Sequence, residues 1–126
     1  MEFETVRRPK ASERFETFAW LYMRVSGLLL ILMVLAHFRI MHLYYGVEHI
    51  DFSVVAARYG TPFWRIYDLV LVLLAVTHGM NGAKMILDDY VHPRSWRTAI
   101  LCVVWAIGFI FLVMGGFTIL TFGGTR

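Results

Sequence analysis

The stretch TAILCVVWAIGFIFLVMGGFTILTF, residues 98–122, decides the fold class because no charged side chain interrupts it. A helix needs about 20 apolar residues to cross about 30 Å of hydrocarbon, and this stretch is long enough. Two further apolar runs precede it, at about residues 20–45 and 64–90. The runs are continuous and show no alternation of period two, and backbone in lipid must satisfy its own hydrogen bonds. The sequence therefore predicts an all-α integral membrane protein with three transmembrane helices.

The composition of the whole chain points to lipid rather than water as its surroundings. Its 126 residues are 59% hydrophobic and 17% charged, with a mean hydropathy of +0.63, whereas a soluble domain carries about 25% charged residues. A net charge of +3 would suit nucleic acid, but the basic residues stand at the ends of the apolar runs. We therefore expect membrane lipid, and no nucleic acid, as a partner.

Basic residues also predict the orientation, because they favour the cytoplasmic side of a membrane. Four precede the first helix and three flank the turn before the last: Arg7, Arg8, Lys10, Arg14, Lys84, Arg94 and Arg97. We expect a cytoplasmic N-terminus, an outer C-terminus and multi-pass insertion in the inner (plasma) membrane, without a cleavable signal peptide. Residues 1–19 are predicted to form a cytoplasmic or interfacial arm, and residues 20–126 the three-helix anchor domain.

Two connections join the predicted helices. The segment Gly46 to Pro62 is expected to form a loop or a short surface helix, and Val91 to Trp96, which contains Pro93, a tight turn. Ser26, in the first helix, is predicted to bond its own helix backbone rather than to line a ligand entrance.

The deepest polar residue is His78, which lies fourteen residues after Trp64 and twelve before Tyr90. At 1.5 Å per residue it is about 18 to 21 Å from either helix end. A neutral imidazole can ligate iron through one nitrogen while the other forms a hydrogen bond. The alternative is a packing histidine hydrogen-bonded to a neighbouring helix.

The residues after His78 favour a ligand site on the same helix face. Gly82 lies one turn further and leaves room for a flat macrocycle or for a second backbone. Asp89 lies eleven residues on, within about 20° of the same face and about 16 Å along the helix. A carboxylate beside the Tyr90 phenol suits a quinone carbonyl, which takes up protons on reduction. The alternative is a solvated helix end with an anchoring tyrosine.

The stretch HGMNGAKMILDDY, residues 78–90, resembles the second-helix motif of the small hydrophobic membrane anchor of succinate dehydrogenase, respiratory complex II. That motif has a histidine, small residues at +1 and +4, and Asp-Tyr at +11 and +12, and all are present here. RVSGLLL, residues 24–30, is similar to the start of that family's first helix. The three-helix layout also agrees, whereas the arm and the first loop are not covered.

The resemblance implies that the chain is half of a two-subunit haem-binding helix bundle. His78 would be an axial ligand of the iron of haem b, with the opposite ligand from a companion anchor subunit of the cytochrome b type. Tyr90 would donate to the quinone and Asp89 would structure the quinone pocket. Arg24 is a candidate partner of a haem propionate; its alternative is a charge that extends from the helix end to the membrane surface.

The implied activity is succinate:quinone oxidoreduction by a complex in which this chain is not catalytic alone. The chain has one cysteine and no Rossmann glycine motif, so FAD and iron–sulfur clusters belong to a flavoprotein and an iron–sulfur subunit. The alternatives are the anchor of a fumarate reductase, and a non-catalytic scaffold or proton-relay protein that uses His78 and Asp89. His37 is expected to pack rather than to bind a second haem.

Overall fold

The computed structural model describes residues 11–123, with side chains from residue 14, and every regular element in that range is helical. The helices are α1 (Ala11–Phe38), which continues as a π-helical segment (Arg39–Tyr44), a 3-10 turn (Val47–His49), α2 (Phe52–Tyr59), α3 (Pro62–Tyr90) and α4 (Arg94–Thr121). The predicted all-α class is confirmed. The first ten residues, with Arg7, Arg8 and Lys10, lie outside the described residues, and the division of the chain at residue 19 stays a prediction.

Three helices are long and apolar enough to cross a membrane, as predicted: Arg14–Tyr44, Pro62–Tyr90 and Arg94–Thr121. Two helices begin earlier than the apolar pattern indicated, since α1 starts at Ala11 and α4 at Arg94. The reason is that apolarity marks the hydrocarbon, whereas the helix continues through the polar surface layer. Pro62, at the first position of α3, is well placed because its ring presets a helical φ and its missing N–H costs nothing there.

The connection between the first two spans contains a short helix, which was one of the two predicted alternatives. Asp51 caps α2, since its Oδ1 accepts a hydrogen bond from the Val54 N–H at 2.9 Å. The Ser53 hydroxyl donates to the same oxygen at 2.7 Å. These two donors, the hydroxyl first, hold the pKa of the Asp51 carboxyl below its ordinary value of 3.8.

The central helix of the bundle is α3, which packs against α1 and against α4. The contact with α4 is close because glycines face large side chains: a Cβ on Gly108 would lie 2.1 Å from Met80 Sδ, and one on Gly115 would lie 3.1 Å from Val72 Cγ1. Among residues 14–123, the buried apolar side chains are Met80 and Ile119, and most others face outward. Outward apolar faces are expected of helices that meet lipid or other membrane chains.

At the end of the bundle where α2 lies, Asp68 of α3 joins α2 to the spanning helices. The Arg58 Nη2 donates to Asp68 Oδ1 at 2.8 Å, and both side chains are buried. The Arg58 guanidinium also lies 4.5 Å from the centre of the Trp64 ring and 2.7 Å from Met41 Sδ. Burial, and then the Asp68 charge, raise the pKa of Tyr59 at the end of α2 to about 12. We call Arg58, Asp68 and His37 the α2 cluster.

Arg65 closes the same end by bonding backbone carbonyls that the helices leave without partners. Its Nη1 donates to Leu120 O at 2.7 Å, its Nη2 to Phe122 O at 3.0 Å and its Nε to Tyr59 O at 2.6 Å. The last carbonyls of a helix have no intrahelical donor, so one guanidinium satisfies the ends of α2 and α4 together.

Candidate functional site

A short ladder of polar contacts joins α1 to α3 in the half of the bundle nearer the N-terminus. The Tyr22 and Thr77 hydroxyls are hydrogen-bonded, and the Asn81 amide donates to Ala19 O at 3.5 Å. Next to the first of these contacts, one turn further along α1, Ser26 Oγ lies 2.8 Å from His78 Nδ1. Polar groups in hydrocarbon are costly unless they are paired, so this ladder fixes the register of the two helices and the depth of His78.

The contact between Ser26 and His78 joins residues 52 positions apart in the sequence. Ser26 is 1% exposed, and its hydroxyl also lies 2.6 Å from Tyr22 O, four residues earlier on its own helix. The predicted bond of Ser26 to its own backbone is therefore confirmed. The second partner of Ser26, His78, was not predicted from the sequence.

The other ring nitrogen of His78, Nε2, has no hydrogen-bond partner among residues 14–123. The imidazole is half-buried, and the adjacent Gly27 keeps the space beside it open, since a Cβ there would lie 3.3 Å from His78 Cε1. A histidine with one nitrogen hydrogen-bonded and the other free has the donor set of an axial haem ligand. These residues therefore fit a haem iron.

Gly82, the glycine predicted to make room for a macrocycle, faces α1. A Cβ on Gly82 would lie 3.5 Å from Met23 Cε, which is an ordinary packing distance. The glycine that lies against the His78 ring is Gly27. Gly27 lies there because α1 packs against α3, and this packing could not be predicted from the sequence of α3 alone.

The predicted quinone residues stand at the end of α3. Tyr90 is 78% exposed, Asp89 is exposed, and neither side chain has a hydrogen bond or an ion pair within residues 14–123. The neighbouring Asp88 is different, because its carboxylate lies 2.9 Å from Lys84 Nζ and 3.5 Å from Arg97 Nη1. The structure thus separates a carboxylate that ties α3 to α4 from an adjacent carboxylate and phenol that are free to meet a ligand.

Arg24 lies on α1 near the same end and does not contact His78. Its guanidinium lies 4.1 Å from the centre of the Trp20 ring, one turn earlier on α1, and its side chain is exposed. An arginine over an aromatic face keeps its five N–H donors for other partners. The cation is therefore positioned without being neutralised by a carboxylate of the described chain.

The second deep histidine, His37, lies in the α2 cluster. Its Nδ1 is 3.4 Å from Asp68 Oδ1, an ion-pairing distance that is not aligned for a hydrogen bond. The link between Arg58, a basic residue of the first loop, and Asp68 was not predicted from the sequence. The signal was present, since a carboxylate inside a spanning helix requires a cationic partner.

Comparison with known proteins identifies the family to which the chain belongs. A family model described as the succinate dehydrogenase/fumarate reductase transmembrane subunit matches residues 6–114. The succinate dehydrogenase hydrophobic membrane anchor subunit of Archaeoglobus fulgidus is 32% identical over 84 residues, which cover 67% of this chain and 71% of that protein. The subunit of the same name from Rickettsia prowazekii is 22% identical over 68% of this chain and 66% of its own length. The one from Thermoplasma acidophilum is 31% identical over 52% of this chain and 53% of its own length.

Proposed function

The chain belongs to the family of succinate dehydrogenase/fumarate reductase transmembrane subunits, and from that membership we propose that it anchors a succinate:quinone oxidoreductase and supplies a ligand to haem b. The similar proteins are named as succinate dehydrogenase anchors, which favours succinate oxidation over fumarate reduction. The partners are a companion anchor subunit, an iron–sulfur subunit and a flavoprotein subunit that carries FAD. The complex is an oxidoreductase to which this chain contributes binding groups.

The haem assignment depends on His78. Its Nδ1 is bonded to Ser26 at 2.8 Å, and its Nε2 would hold the haem iron from this chain, while the companion subunit would supply a further ligand. The haem, when bound, supplies a one-electron carrier within the membrane. Arg24 would donate to a propionate of that haem, and the exposure of its guanidinium supports this role.

The quinone assignment depends on Tyr90 and Asp89. The Tyr90 phenol donates a hydrogen bond to a quinone carbonyl, and Asp89, beside it, holds a carboxylate that exchanges protons with water as the quinone is reduced. Their exposure at the end of α3 supports this role. Partner subunits would cover these groups on the side that faces the iron–sulfur clusters.

The proposed orientation follows the basic residues. The N-terminus and the turn between α3 and α4 face the cytoplasm, where the soluble subunits bind, and the C-terminus lies on the outer side of the inner membrane. With this orientation Tyr90 and Asp89 lie at the cytoplasmic surface and the α2 cluster at the opposite surface.

The test compares three variants in the complex purified in mild detergent. His78→Ala is expected to alter or remove the reduced-minus-oxidised haem spectrum. Tyr90→Phe is expected to keep the spectrum and to lower the rate of quinone reduction by about 10²-fold, the lower end for loss of a proton donor. His42→Ala is the matched control, because its ring lies in the π-helical segment that follows α1, where it stacks on Phe38 at 4.1 Å, away from His78.

An unchanged haem spectrum in His78→Ala would remove the ligand assignment. A normal rate in Tyr90→Phe would remove the quinone assignment. Purification of the chain without a flavoprotein and without haem absorption would instead favour the scaffold or proton-relay alternative. Rates with succinate and quinone, compared with fumarate and quinol, decide the physiological direction.

A further inference from the structure

We propose that Ser26 is a positioning residue that fixes the tautomer and the orientation of the His78 ring and thereby sets the reduction potential of the haem. This inference rests on the proposed function, since it concerns the haem that His78 binds. It starts from the contact between Ser26 Oγ and His78 Nδ1 at 2.8 Å, at a residue that is 1% exposed.

The proton positions follow from the partners of the serine. Ser26 has one hydroxyl proton, and Tyr22 O, 2.6 Å away, is a carbonyl oxygen that accepts and never donates. The serine therefore donates to Tyr22 O. Toward His78 the same oxygen acts as an acceptor, so Nδ1 carries the ring proton. In a neutral imidazole the proton on Nδ1 leaves the lone pair on Nε2, which is the form that binds iron.

The same bond selects one of two ring orientations. Turning the imidazole by half a turn about its bond to Cβ would place a carbon instead of Nδ1 against Ser26 and would lose the hydrogen bond. Gly27 supports the selected orientation, because the ring lies against its backbone and a Cβ there would approach Cε1 to 3.3 Å. Neighbouring residues of α1 thus provide both the hydrogen bond and the space for one ring position.

The bond has an electronic consequence for iron. A histidine whose Nδ1–H donates to an acceptor is a more basic ligand at Nε2, and a more basic ligand favours the ferric over the ferrous state. Removing the acceptor weakens this preference and raises the midpoint potential. Tyr22 takes part indirectly, since its carbonyl directs the serine proton away from the ring.

The experiment measures the haem midpoint potential of the purified complex by redox titration, for the wild type and for Ser26→Ala and Ser26→Thr. Ser26→Ala is expected to keep the haem and to shift the midpoint positively. The expected change is up to about tenfold in the ferric-to-ferrous ratio at fixed potential, or about 59 mV for one electron. Ser26→Thr keeps a hydroxyl and is expected to return the midpoint toward the wild-type value.

Thr121→Ala is the matched control, because the Thr121 hydroxyl bonds Phe117 O four residues earlier at 2.8 Å and lies at the far end of α4. An unchanged midpoint in Ser26→Ala, or equal shifts in Ser26→Ala and Ser26→Thr, would overturn the inference. His78→Ala separates this failure from that of the proposed function. If it removes the haem while Ser26→Ala changes nothing, only the role of Ser26 is lost.

Discussion

Breaking the buried charge pair of the α2 cluster is predicted to lower strongly the free energy that holds α2 on the bundle. The perturbation is Asp68→Asn, which keeps the shape of the side chain and removes its charge. Arg58 and Asp68 have side chains that are 2% and 9% exposed and that meet at 2.8 Å. After the substitution the guanidinium keeps the Trp64 ring and Met41 Sδ as neighbours. These neighbours are neutral, so the buried positive charge is left without a counter-ion.

The magnitude follows from the distance. Two unit charges 2.8 Å apart attract by about 6 kcal/mol at an effective dielectric constant of about 20. Part of this attraction offsets the several kcal/mol that burying each ion costs. When one charge is removed, the burial cost of the other is no longer offset, and measured losses for such pairs are about 3 to 5 kcal/mol. We expect a loss of this size in the free energy that holds α2 on the bundle.

Amide hydrogen exchange of α2 in the purified complex measures this effect locally. A helix of 8 residues is not stable alone in water, so its protection depends on docking. Each 1.4 kcal/mol is a factor of ten in an equilibrium, and the α2 amides should exchange roughly 10²- to 4 × 10³-fold faster in Asp68→Asn. Amides in the middle of α4 serve as the internal reference and should keep their rates.

The double variant Arg58→Met with Asp68→Asn provides the thermodynamic control. Replacing both charges removes the unpaired cation, so the double variant should recover most of the α2 protection lost in the single variant. The α2 amides of the double variant could instead exchange as fast as the summed effects of Arg58→Met alone and Asp68→Asn alone predict. In that case the two charges do not act as a pair. The assignment of the α2 cluster as the attachment of α2 would then be refuted.

Two further predictions concern the cap of α2 and the helix contacts. The lowered pKa of Asp51 means that its cap stabilises α2 fully above pH 3.8 and that this contribution is lost as the pH falls below it; α2 amide exchange against pH should show the loss in wild type and not in Asp51→Asn. Gly108→Ala should destabilise the bundle by about 1 to 3 kcal/mol in thermal unfolding, because the new Cβ would overlap Met80. Gly116→Ala, whose Cβ would meet nothing within 4 Å, should be neutral or slightly stabilising; equal effects at both glycines would contradict the packing argument.

The three spans could be predicted because a membrane crossing is a local property of composition. Residues 98–122 satisfy the length requirement whatever surrounds them. The helix limits differed because polar first turns, such as that of α4 at Arg94, extend beyond the hydrocarbon. The apolar pattern indicates where the hydrocarbon begins, whereas the helix begins where its backbone hydrogen bonds begin.

The site was predictable only where it depends on one helix. The spacing of His78, Asp89 and Tyr90 along α3 is fixed by helix geometry and was visible in the sequence. The partnership of Ser26 with His78 depends on the pairing of α1 with α3, and the same holds for Gly27. A partial signal existed: Tyr22 and Ser26 are four residues apart, as are Thr77 and Asn81, which matches two polar stripes on antiparallel helices.

The two buried apolar residues of the described chain, Met80 and Ile119, bear on how natural variation at this protein is to be read. Most of its large apolar side chains face outward, as expected of helices that meet lipid or other membrane chains. Exchange of one outward-facing aliphatic residue for another therefore has little to act on inside the chain. We expect any loss caused by such an exchange to lower the yield of the assembled complex rather than the stability of this chain. We therefore expect residues on the outward faces to vary together with residues of partner chains. The polar residues of the ladder between α1 and α3 are expected to vary together with one another.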